Sequence, residues 1–84
     1  MPRAEFSIPS ENVRISRNLS SPSKITSEKA WLTAARKKIP QIPKLGSEWH
    51  FVTWSYDTNW IHIELRKSNG VRAYLIVDRK APSL

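Results

Sequence analysis

His62, Glu64 and Arg66 are spaced by two residues in the run 60–67, so in an extended chain all three side chains leave from one face. A histidine, a carboxylate and a guanidinium are the groups a metal-independent ribonuclease uses as base, acid and stabiliser of transition-state charge. The same triplet is also an ordinary charge ladder on a solvated strand. His50 is expected on the opposite face, which disfavours a two-histidine mechanism. No catalytic residue is assigned from this pattern. A ribonuclease built on His62, Glu64 and Arg66 is the third of three functional readings.

Two further groupings concern binding. Phe51, Trp60 and Arg66 are expected to share the face of His62, near a basic helix. Single-stranded nucleic acid uses such surfaces, stacking bases on rings while arginines meet phosphates, at roughly 1–3 kcal/mol per stacked base. Leu75 and Val77 are expected on that face too, which points to its being covered by the N-terminal segment or by a second subunit. Lys67 and Arg72 flank Ser68-Asn69-Gly70. A two-residue Asn-Gly turn places them directly opposite one another, with Arg66 beside them. Like charges in that relation repel, and a phosphate between them would turn repulsion into bridging. Long side chains at a solvated tip can equally splay apart.

These groups must be positioned by the stretch from Glu48 to Asp78. It reads as three antiparallel strands, EWHFVTWSY, WIHIELRK and VRAYLIVD. Valine, isoleucine, threonine and aromatic residues dominate it, as a pleated, half-buried surface favours. With two-residue turns at Thr58-Asn59 and Asn69-Gly70, one face collects Val52, Trp54, Tyr56, Ile61, Ile63, Leu65, Tyr74 and Ile76. That is the expected core face. A slip of one residue would bury His62, Glu64 and Arg66 instead, so the hydrophobic pattern opposes it.

Before the strands, the spacing predicts a helix from Glu28 to Lys38 with Ser27 as its N-cap. It ends there because Ile39 precedes Pro40 and is pushed out of the α region. Trp31, Leu32, Ala35 and Ile39 form one stripe along it. Lys29, Arg36, Lys37 and Lys38 lie on the remaining surface. Basic residues in a last turn oppose the helix dipole, which explains Lys37 and Lys38 without any ligand. Three in a row followed by Lys44 exceed what that requires. The segment 39–46 reads as an extended polyproline strut with isoleucine plugs.

Residues 1–24 are proline- and serine-rich with no helical period, and read as a flexible basic arm carrying Arg3, Arg14, Arg17 and Lys24. Val13–Ser16 alternates and could add a short edge strand. The chain is therefore expected to be α+β: one amphipathic helix packed on a three-stranded antiparallel meander, with residues 1–24 as the arm and 25–84 as a single compact domain. A domain of about 60 residues buries only roughly 60% of its unfolded surface, so it would be marginal.

The formal net charge is +7 over 84 residues. Segment 25–46 carries five basic residues against one acidic, whereas 47–84 carries five against four. The surplus lies in the helix and its flanks, and it favours a polyanionic partner. There is no cysteine, so neither a disulfide nor a thiolate metal site is available. Two histidines make a structural zinc site untenable, and no cofactor motif is present. Without a long apolar run, the chain is expected to be soluble and intracellular, in cytoplasm or nucleus/nucleoid, with no membrane partner.

The first reading is thus a small non-catalytic nucleic-acid-binding protein, for DNA or RNA. Its contact residues would be Arg14, Arg17, Lys29, Arg36, Lys37, Lys38, Lys44, Phe51, Trp60, Arg66, Lys67 and Arg72. The second is a protein–protein module, an inhibitor or a homodimer, docking through the aromatic second face of the sheet. Its support is the four tryptophans, since interface cores favour aromatic residues.

Overall fold

The computed structural model describes residues 2–19, 28–56 and 59–80. Its elements in chain order are β1 (Arg3–Ile8), a single 3-10 turn at Pro9–Glu11, β2 (Val13–Asn18), α1 (Glu28–Lys38), β3 (Trp49–Tyr56), β4 (Trp60–Lys67) and β5 (Arg72–Asp78). The class is α+β, as expected, but the sheet has five antiparallel strands in the order β2-β1-β5-β4-β3. Residues 3–18 are therefore not an arm. They form a hairpin whose first strand pairs along β5 and is interior to the sheet.

The sequence of this hairpin explains its place. Ala4, Phe6 and Ile8 alternate with Arg3, Glu5 and Ser7, and the first set is buried. Val13 and Ile15 continue that face on β2, opposite Ile8 and Phe6. The turn between them begins with Pro9, whose fixed φ suits a first helical position. It ends at Asn12, which takes the left-handed region at φ 54°, and the Asn12 N–H donates to the Pro9 carbonyl at 3.2 Å. Asparagine tolerates that conformation better than most residues. Val13–Ser16 does lie on an edge strand, as its alternation suggested.

The core runs in rungs across the sheet. Ile15, Phe6, Leu75, Ile63 and Trp54 make the central one, and Ala4, Val77 and Ile61 the next; Tyr56, paired with Ile61 on the edge strand, is exposed and not in the core as its alternation suggested. Trp31, Leu32 and Ala35 of α1, with Ile39 just after it, join these strands in one buried cluster, so the expected stripe is the packed one. The helix has the expected bounds, Glu28–Lys38. Ser27 and Lys24 lie outside the described residues. With β2 and β3 at opposite edges, the β2–β3 connection has to cross the whole sheet, and α1 does so over one face.

The strut differs from its expectation in its first half. The Ile42 N–H donates to the Ile39 carbonyl at 3.1 Å, closing a turn with Pro40 at its second position, where proline is favoured. Ile39 and Ile42 are both buried. No helix among the described residues is long and apolar enough to cross a membrane.

Two local irregularities reset the registers of the meander. At the β4–β5 turn, the Lys67 N–H donates to the Val71 carbonyl and the Gly70 N–H to the Lys67 carbonyl, both at 2.8 Å. Gly70 alone takes positive φ, at 95°. This is a three-residue loop with a bulge at Gly70, not the two-residue turn that needs positive φ at both positions. The pairing becomes Arg66 with Arg72, Leu65 with Ala73 and Ile63 with Leu75. Hence Ala73, Leu75 and Val77 are buried, while Tyr74 and Ile76 face the other way. In β3 a bulge falls between Phe51 and Thr53. Phe51 therefore lies on the core side opposite Leu65, Val52 is exposed, and His50 moves to the outer face opposite Arg66.

Candidate nucleic-acid interface

Exposed cations gather on the helix side. Lys29, Lys37 and Lys38 are exposed on α1 and Lys44 on the strut, and none makes an ion pair among the described residues. A depression of about 280 Å³ lies between helix and strut, lined by Lys29, Leu32, Thr33, Arg36, Lys44 and Leu45. Its walls are held by Arg36, which donates from Nε to the Ile42 carbonyl at 3.2 Å and from Nη2 to the Pro43 carbonyl at 2.8 Å. Arg36 was a candidate ligand-binding residue; here its guanidinium is engaged in joining helix and strut. The Thr33 hydroxyl donates to the Lys29 carbonyl at 2.9 Å, an intrahelical bond that leaves its oxygen free to accept.

The outer sheet face has a different electrostatic character, because its cations have carboxylate neighbours. Arg14 meets Glu5 at 3.3 Å. Arg66 and Arg72 both approach Glu64, at 3.6 and 4.0 Å. Lys67 turns away from this face and pairs with Glu48 at 3.1 Å, so it is not opposite Arg72 as the two-residue turn had implied. Arg17 points to the other side at the β2 edge, where it donates to the Ser16 carbonyl at 2.7 Å.

Trp60, His62, Glu64 and Arg66 do share this outer face, as their spacing requires. Phe51 does not, for the reason given by the β3 bulge. Tyr74 and Ile76 take its place: the Tyr74 ring lies 6.1 Å from that of His62, and Ile76 pairs with His62 across the strands. Tyr56, Trp60, His62, Ser55 and Ile76 line a depression of about 340 Å³ near the far end of the β3–β4 hairpin. Trp60 is 49% exposed and Tyr56 67%, and Tyr56 stacks on Trp54 at 5.2 Å. On the helix side the Arg79 guanidinium sits 5.9 Å from the centre of the Trp31 ring.

The ribonuclease candidates His62, Glu64 and Arg66 lie on one face, and His50, which the bulge brings to that face, is not placed beside His62. His50 pairs with Arg66, four residues along β4 from His62, hence about 13 Å away along the strand. An acid and a base acting on one phosphate must both reach it by hydrogen bonds. Tyr74, Ile76 and His50 are the outer-face residues that sequence reasoning missed. Their signals were a Gly that serves one positive-φ position and a Val whose burial the bulge cancels. No family model, no curated protein and no solved structure matches this chain.

Proposed function

We propose that this protein binds nucleic acid without catalysing a reaction on it, and that its phosphate contacts come from Lys29, Lys37, Lys38 and Lys44. One observation carries the reading: Lys29, Lys37, Lys38 and Lys44 make no ion pair among the described residues, whereas Arg14, Arg66, Lys67 and Arg72 of the sheet each do. A cation already facing a carboxylate gains less from a phosphate than one facing water alone. The helix–strut surface therefore contributes most to attracting a polyanion, and the lysines are long and mobile enough to follow an irregular backbone. Binding of this kind is tight only at low salt and indifferent to sequence, with a dissociation constant on the order of 10⁻⁴–10⁻⁶ M at physiological salt.

The test is an amide chemical-shift titration with short single- and double-stranded oligonucleotides. The expected perturbations fall on α1 and on residues 42–46. A duplex and a single strand that both leave this surface unmoved would remove the proposal. The protein-docking reading keeps one support, the exposed Tyr56 and Trp60. Light scattering tests its homodimer form, since a monomer at high concentration leaves those rings without a second copy.

A further inference from the structure

Arg66 and Arg72 are direct cross-strand partners on the outer face, with His50 next in line on β3. Directly opposed like charges destabilise a sheet, so this rung needs an explanation. Glu64 supplies part of it, lying one rung inward with its side chain only 18% exposed. Yet one carboxylate faces two guanidiniums, at 3.6 and 4.0 Å, distances beyond a good hydrogen bond. The Nε of Arg66 is buried and has no hydrogen-bond partner. Each guanidinium offers five donors in a planar fork suited to a phosphate.

A depression of about 470 Å³ opens beside Arg72, the cross-strand partner of Arg66, and Tyr74, Ser10 and Gly70 are among the other residues lining it. Nothing lies within 4 Å of the position a Cβ would take on Gly70, so space remains above that backbone. Tyr74 stands two residues from Arg72 on the same face. A phosphate on Arg66 and Arg72 would thus have an aromatic ring within one nucleotide's reach, and a planar base stacks favourably on such a ring.

We infer that Arg66, Arg72 and Tyr74 form a nucleotide site on the face opposite the lysines, with the phosphate between the two guanidiniums and the base over Tyr74. The ligand class is shared with the nucleic-acid reading, but the contact residues are not, so each can fail alone.

The experiment follows arginine Nε and backbone amide signals of the full chain during titration with inorganic phosphate, uridine and adenosine 5′-monophosphates, and the two nucleosides. Phosphate alone is expected to shift Arg66 and Arg72. The nucleotides should shift Tyr74 and Gly70 as well and bind at least tenfold more tightly than phosphate, while the nucleosides leave the arginines unmoved. Arg72→Gln should weaken the nucleotides at least tenfold, and replacing the four helix–strut lysines by glutamine should not. A 5′-phosphorylated trinucleotide that displaces the mononucleotide identifies a strand end as the source, and one that does not identifies a free nucleotide; either supports the site. Nucleotide shifts confined to α1 and the strut, equal responses to nucleoside and nucleotide, or no shift at Arg66 and Arg72 would overturn it.

Discussion

The Arg36 guanidinium donates to the carbonyl oxygen of Pro43 at 2.8 Å, and this bond, with its companion to Ile42, fastens the strut to the helix. Hydrogen bonds from a charged donor contribute about 1.5–3 kcal/mol. Arg36→Ala is expected to cost about 2 kcal/mol, and Arg36→Lys nearly as much, because an ammonium cannot span both acceptors in one plane. A urea midpoint unchanged in both variants, at constant m, would show that the strut is held by its buried isoleucines alone.

Gly70 turns the β4–β5 hairpin at φ 95° with open space where a side chain would sit. Gly70→Ala should therefore cost about 1–2 kcal/mol from backbone strain and nothing from clash. Gly70→Asn should cost less. Equal stability of wild type and both variants in urea would mean that the turn does not hold this conformation.

Phe6 is fully buried in the central rung of the sheet. Phe6→Ala should cost about 3–5 kcal/mol, a large part of the roughly 5–15 kcal/mol that holds a domain of ordinary stability. Deleting residues 1–18 should abolish cooperative unfolding altogether, since it strips β5 of one of its two neighbours. A truncated chain with a dispersed amide spectrum and a sharp melt would show instead that 25–84 folds by itself.

Much of the helix layer was legible. Pro40 ended α1 where it should, and the stripe from Trp31 to Ile39 is the one that packs. The strands of the meander were legible as elements, but not their facing, because facing depends on single residues. One extra residue in the Ser68–Gly70 loop exchanged Tyr74 and Ile76 for Leu75 and Val77, and one bulge at Val52 exchanged Phe51 for His50. The pattern on β5 could have warned of this, since Ala73, Leu75 and Val77 are a better core set than Arg72, Tyr74 and Ile76. The N-terminal hairpin was hidden by its prolines and serines. The alternation Ala4, Phe6, Ile8 was present, and Pro9 to Asn12 was a turn between two strands and not the punctuation of a loose arm.

Phosphate neutralisation by lysines of the helix and strut is read out by the salt dependence of oligonucleotide binding. For the wild-type chain, log K against log[salt] should fall steeply, and replacing Lys29, Lys37, Lys38 and Lys44 by glutamine should reduce the slope by about three, near 0.7–0.9 for each phosphate contact removed. A wild-type slope close to zero, or one that the four substitutions leave unchanged, would contradict it.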